Sequence, residues 1–258
     1  MLTFKTTNVL FLGVLAIVMG IHAFYAPVHW LFFVLMGLIY SLTVFYGSAF
    51  IQSGFHISAV CKGLTSEKII SITFDDGPNS EITPQILDVL KEENLKAAFF
   101  CIGRSIPGKE DILKRISAAG HILGNHSYSH APLFDFYSSN RLSADLSGAN
   151  GLIESATGLK PVYFRPPYGV TTPNLARAVR QNGFTAVGWN IRSLDTTAKS
   201  PSEVMARIRK RLKPGSIVLF HDTMPGTVQL LQKTIQLCKE QGYRIVPLDE
   251  LTKIKPYA

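Results

Sequence analysis

From residue 68 to 247 the chain alternates short, nearly all-apolar runs with stretches whose apolar residues recur every three or four positions. A run apolar on both faces belongs in the middle of a parallel sheet, and parallel strands need a crossover between them, usually a helix. The spacing predicts strands over 68–74, 97–102, 121–124, 162–165, 185–190, 217–220 and 244–247. It predicts helices over 83–93, 111–119, 143–157, 174–181, 202–212 and 227–240, several of them closed by Gly or Pro. Polar residues stand at or just beyond several strand ends: Asp75, Asp76, Arg165, Asp195 and His221. So many units, with reactive groups gathered at strand ends, favour a (β/α) barrel over an open sheet.

The front of the chain is different. Hydrophobic residues make up 47% of the 258, and the excess lies before residue 52. Two uncharged stretches, about 8–25 and 30–51, each approach the roughly 20 residues needed to cross a bilayer. Tyr25 and Trp30 flank the short link between them, as interfacial aromatics do. The division expected is a two-helix membrane anchor over 1–52, a linker over 53–66 and a catalytic domain over 67–258. The other reading of the first stretch, a signal peptide starting at Lys5, lacks a small-x-small cleavage site. Lys5 before the hairpin and Lys62 and Lys68 after it lean toward a cytoplasmic domain, but three lysines do not decide the side.

The net charge of +8 is dispersed, and its densest group, residues 207–213, reads as one solvated helix face, which argues against nucleic acid. An anionic membrane surface or an acidic glycan is the better match for that charge. Cys61, Cys101 and Cys238 form no CxxC pair and carry no metal or redox role.

In Thr73-Phe74-Asp75-Asp76-Gly77-Pro78, two adjacent carboxylates end an apolar run just before a turn. Like charges this close conflict, and a cation that neutralises one would leave the other as a proton acceptor. His126 and His130 supply further ligands, and their i, i+4 spacing predicts a helical turn with both rings on one face. Asp76, His126 and His130 would give a divalent metal three ligands and leave a position open, the arrangement of catalytic zinc. Arg165, held by Pro166-Pro167, can fix a carboxylate, while N–H groups of the turn are available to an oxyanion. His221 leaves an all-apolar strand where it can protonate a leaving group, with Asp195, or alternatively Asp222, to hold its proton. His29, His56 and His121 are isolated and read as structural.

In order and spacing these residues resemble the polysaccharide deacetylase family, the NodB homology domain or carbohydrate esterase family 4, over about residues 65–250. The resemblance implies a distorted (β/α) barrel of about seven units. It implies Asp75 as general base, Asp76, His126 and His130 as metal ligands, and Arg165 as the group orienting the base. It further implies the Tyr168 N–H as an oxyanion donor, Leu219 as lining for the acetyl methyl, and His221 as general acid. The fourth family motif departs: Asp195 matches, but Thr196 stands in place of a tryptophan and Arg192 in place of an acid.

The activity expected is metal-dependent removal of N-acetyl groups from amino sugars in a cell-envelope glycan, with Zn²⁺ first and Co²⁺ or Ni²⁺ accepted by the same ligands. Two alternatives stand beside it. One is deacylation of a lipid-linked amino sugar at the cytoplasmic membrane face. The other is a catalytically silent glycan-binding membrane protein.

Overall fold

The computed structural model describes residues 2–258. Two apolar helices lead, α1 (Phe4–Phe24) and α2 (Trp30–Ala49). Eight strands follow: β1 (Ile69–Asp75), β2 (Ala98–Cys101), β3 (Ile122–Asn125), β4 (Tyr163–Phe164), β5 (Thr185–Ala186), β6 (Ile191–Arg192), β7 (Ile217–His221) and β8 (Arg244–Ile245). Between and after them lie α3 (Ile82–Glu92), α4 (Glu110–Ala118), α5 (Ser139–Thr157), α6 (Pro173–Gln181), α7 (Pro201–Arg211), α8 (Thr227–Glu240) and α9 (Leu248–Thr252).

All strand pairings are parallel, and the sheet runs β5-β4-β3-β2-β1-β7-β6, with β8 beside the start of β1. The two ends of this order, β5 and β6, are neighbours in sequence. Six inter-strand gaps would set them about 29 Å apart in a flat sheet. The five steps from Ala186 to Ile191 span at most about 18 Å. The sheet must therefore curl until its edges approach, which makes it a distorted, incompletely closed barrel. Of the single strand expected over 185–190, only Thr185–Ala186 pairs, as β5; Val187 to Asn190 are the seam, bridging to β6 on the opposite edge.

Alternation then assigns every strand residue to one side. Ile70, Ile72, Phe74, Phe99, Val218 and Phe220 pack outward on Ile86, Leu90, Leu113, Ile208 and Leu231 of the surrounding helices. Ile69, Ala98, Phe100, Ile217 and Leu219 fill the interior. Asp75 is in phase with Ile69, and His221 with Ile217 and Leu219, so both point into the barrel at the C-terminal end of its strands.

Residues 53–66 are not a free linker. Ile51, Phe55 and Ile57 are buried, the Val60 N–H donates to Ala186 O at 2.9 Å, and the Gly188 N–H donates to Val60 O at 3.0 Å. The segment is an added edge beside the seam. The helical hairpin above it is mostly exposed, with Val9, Leu12, Ile17, Leu35, Ile39 and Phe45 all bare. Its two helices touch through Tyr40, whose hydroxyl donates to Asn8 Oδ1 at 2.8 Å.

Candidate active site

Asp75 ends β1 and is buried. A continuing strand would point Asp76 outward, but its φ of 77° breaks the alternation and turns its carboxylate into the same cleft. Among the described residues, seven non-glycine residues have positive φ, and five of them (Asp76, Ser127, His130, Tyr168 and Leu194) are site residues or border one. Strain of this kind persists where surrounding contacts enforce it.

The histidine segment is where the expected local structure fails. Residues 126–130 form no helical turn. His126 follows β3 directly, and the chain then coils back through Ser127 (φ 64°) to His130 (φ 41°). Side chains rather than helical hydrogen bonds hold the coil: Asn125 Oδ1 accepts from Ser127 N at 2.8 Å, and Asp145 on α5 accepts from Tyr128 N at 2.7 Å. Ser127 Oγ accepts from His130 N at 3.0 Å. The rings still converge, with Nε2 of each 3.4 Å from Asp76 Oδ1.

This trio fits a divalent cation. One donor atom from each residue lies within 4.8 Å of the others. His126 Nδ1 sits 2.8 Å from the carbonyl oxygen of Arg165, to which it must donate, so the lone pair is on Nε2 and faces Asp76. Burial opposes charge on His126, but the Asp75 and Asp76 carboxylates overcome it and raise its pKa. Burial, followed by the charge of His126, lowers that of His130. Burial works against the Asp76 carboxylate too, yet the hydrogen bond and charge of His126 outweigh it and bring its pKa down to about 2. An anion poised between two imidazoles is a ligand set for zinc, cobalt or nickel.

Arg165 is fully buried and every nitrogen of its fork is engaged. Nη1 donates to Asp75 Oδ1 at 2.7 Å and to Thr73 Oγ1 at 2.8 Å, Nη2 to Gly188 O at 3.0 Å, and Nε to Val187 O at 3.1 Å. The same residue that fixes Asp75 also stitches the seam. Its contact with Asp75 is through one nitrogen, not the bidentate pair its chemistry allows.

His221, at the end of β7, donates from Nδ1 to Asp195 Oδ1 at 2.7 Å, and its backbone N–H donates to Asp195 Oδ2 at 2.8 Å. Ser193 and Thr227 hydroxyls donate to the same carboxylate at 2.8 and 3.2 Å. Burial opposes charge on His221, and the bond to Asp195 prevails and raises its pKa. Asp222, the other acid considered, turns away: Thr83 Oγ1 donates to it at 2.6 Å, and burial pushes its pKa up to about 7.

Tyr168 sits in a left-handed turn with its ring against His130, and its N–H has no acceptor among the described residues. Asp75, Asp76, His126, His130, Tyr168 and His221 face one cavity of about 170 Å³, with Leu219, Trp189, Arg192 and Thr196 as further walls, while Arg165 and Asp195 act on it from behind through Asp75 and His221. Trp189 escapes the motif reading, because it lies in the seam, inside what the sequence presents as a plain strand. The turn at Gly169 packs on its ring so closely that a Cβ there would lie 2.6 Å from Trp189 Cη2. The wall left open by Thr196 is thus supplied in part by Trp189 and Arg192. His29, His56 and His121 lie outside this cavity.

The polysaccharide deacetylase family profile matches residues 62–187. A Bacillus cereus peptidoglycan-N-acetylglucosamine deacetylase is 33% identical over 186 residues, covering 70% of this chain and 67% of that protein. The crystal structure of the Bc1960 peptidoglycan N-acetylglucosamine deacetylase superposes with a TM-score of 0.73 at 30% identity, over 78% of this chain and 95% of that one. A CE4 family pseudoenzyme from Bacillus anthracis, BA3943, superposes with a TM-score of 0.70 at 30% identity, over 75% of this chain and 68% of that one. Fold, strand-end site and sequence agree, and the chain belongs to the polysaccharide deacetylase family.

Proposed function

We propose that this protein is a metal-dependent hydrolase that removes an N-acetyl group from an amino sugar of the cell envelope, anchored to a membrane by α1 and α2. The observation that carries the reading is the joint placement of Asp75, the Asp76–His126–His130 trio and His221 around one cavity. A divalent cation held by the trio would supply Lewis-acid polarisation of the acetyl carbonyl. Asp75, oriented by Arg165, takes the proton of the attacking water. The Tyr168 N–H donates to the oxygen on which charge develops. His221 carries its Nδ1 proton toward Asp195, which leaves Nε2 to deliver a proton to the departing amine. Leu219 lines the wall where the acetyl methyl would rest.

The pseudoenzyme relative shows that the fold alone does not guarantee turnover. Against a silent role here stands the complete set of groups, since binding a glycan has no need of a base, an acid and three convergent ligands together. The test is amine release from N-acetylated amino-sugar oligomers by the full chain in detergent, stripped of metal and then given Zn²⁺ or Co²⁺. Metal-dependent release that Asp75→Asn and His221→Ala each lower by about 10²-fold or more supports the reading. Tight glycan binding with no release in any metal would replace it with the silent one.

A further inference from the structure

A second cavity of about 290 Å³ adjoins the active one and shares Tyr168, Trp189 and Arg192 with it. Its far wall carries Arg207 and Arg211, one turn apart on the same face of α7. The basic stretch that reads as a solvated face therefore turns two of its arginines toward a cavity. Among the described residues, no carboxylate lies within ion-pair distance of Arg192, Arg207 or Arg211. Arg192 Nε is buried without a partner, and Arg207 spends only Nε, donating to Arg192 O at 2.7 Å. Burial first, and then the charges of Arg211 and Arg192, lower the Arg207 pKa. The remaining wall is the exit of α2, from Ala49 to Gln52. Gln52 ties that wall to the site, donating to Trp189 O at 2.7 Å, and the Thr171 N–H donates to Ser48 O at 2.9 Å.

We infer that this cavity holds the phosphate of a lipid-linked amino sugar while the attached sugar enters the active cavity. The inference rests on the deacetylase reading and names its substrate class. Guanidinium forks match phosphate oxygens two at a time, and a bound phosphate would relieve the crowding of three unpaired cations. Position selects the lipid. A 20-residue apolar helix spans about 30 Å, the thickness of the hydrocarbon layer, so the exit of α2 marks the depth of the lipid phosphates. A lipid phosphosugar places its phosphate at that depth and its sugar one bond further out, which is the order of the two cavities. Arg192 occupies the fourth-motif position where the family resemblance has an acid, so the charge at the junction is reversed.

The experiment uses the full chain in lipid nanodiscs with Zn²⁺ or Co²⁺. It compares kcat/KM on the dodecyl phosphodiester of N-acetylglucosamine, its neutral dodecyl glycoside, soluble N-acetylglucosamine 1-phosphate, and N-acetylated muropeptides. The expected result is a preference for the phosphodiester over the neutral glycoside of about 10-fold or more, the worth of one or two charge-assisted hydrogen bonds. That ratio should fall toward one in Arg192→Gln and in Arg207→Gln/Arg211→Gln, with melting temperatures checking that the variants fold. A ratio near one in the unaltered protein, or one the substitutions leave unchanged, overturns the inference while the deacetylase reading stands. Equal turnover of the soluble phosphate overturns the lipid source, and preferred muropeptides would give the site to a carboxylate instead. No turnover of any of the four overturns the deacetylase reading and this inference with it.

Discussion

Arg165 Nη1 meets Asp75 Oδ1 at 2.7 Å although Asp75 ends β1 and Arg165 directly follows β4, three places away in the sheet. In a flat sheet those strands would lie about 14 Å apart, so the contact depends on curvature and crosses the interior of the barrel. The arginine's other bonds go to Val187 and Gly188 in the seam. Closure of the fold and orientation of the Asp75 carboxylate are one arrangement.

Arg165→Met should therefore damage stability as well as activity. It strands a buried carboxylate and two buried carbonyls, and breaking a buried pair from one side costs about 3–5 kcal/mol. For a domain of this size that lowers Tm by about 6–20 °C. Asp75→Asn in the same chain should recover part of the loss, because the uncompensated charge is gone. Circular dichroism melts of the two variants check this, and a single variant melting with the unaltered protein would remove Arg165 from the seam's support.

The proton on His221 sets the alkaline side of the pH profile. A general acid works while protonated, so its rate contribution is present below its pKa and lost as pH rises through it. Burial acts to lower that pKa, and the Asp195 carboxylate raises it by more. Asp195→Asn keeps an acceptor for the ring but removes the charge, so the alkaline limb of kcat should move to lower pH. A limb that stays in place would show that Asp195 orients the ring without tuning it.

Metal should stabilise as well as activate. A ligand that binds only the folded chain at about a thousand times its Kd adds roughly 4 kcal/mol. Chelation should lower Tm, and Zn²⁺ should restore it in the unaltered protein but not in His126→Ala, which removes the most deeply buried nitrogen donor of the trio. Equal melts with and without metal would argue that the three residues meet for another reason.

These experiments bear on residues that were largely legible in the sequence, and for a physical reason. Asp75, Leu219 and His221 lie on strands, where a period of two fixes their side, so apolar patterning also reports their direction. The fold was legible on the same ground, since buried parallel strands and amphipathic crossovers are both patterned. What escaped depends on irregular backbone. The coil of 126–130 is held by Asn125, Asp145 and left-handed residues that carry no periodicity, so the histidine spacing pointed to a pair whose rings converge, but through the wrong local structure. The seam cuts one apparent strand short and carries the chain to the opposite sheet edge, a long-range fact, and Trp189 was hidden with it. Residues 53–66, poor in regular structure, read as a linker because burial of isolated side chains such as Phe55 and Ile57 has no period to betray it.

Gly169 tests the wall that Trp189 supplies. Its φ of 73° favours glycine, and a Cβ would press on the indole at 2.6 Å from Cη2. Gly169→Ala should cost about 1–3 kcal/mol and push the ring from the cavity wall, raising KM more than it lowers kcat. Since the chain has only Trp30 and Trp189, emission from a Trp30→Phe background reports the ring directly. Unchanged emission and KM would show that the turn absorbs the methyl and that Trp189 is not held by it.

The start of the catalytic domain is the remaining question that stability can answer. A chain beginning at residue 50 keeps the buried Ile51 and Ile57 and the Val60 edge on β5, whereas one beginning at 67 loses them all. Burial of each large apolar side chain contributes about 1.5–3 kcal/mol, so the two together are a large share of the net stability of an ordinary domain, about 5–15 kcal/mol. The 50–258 chain should unfold cooperatively in urea and bind little of a hydrophobic dye. The 67–258 chain should bind that dye strongly and lose its near-ultraviolet circular dichroism, because the seam between Ala186 and Ile191 would then lack its covering edge. Equal urea midpoints for the two would mean that the barrel closes on Arg165 alone.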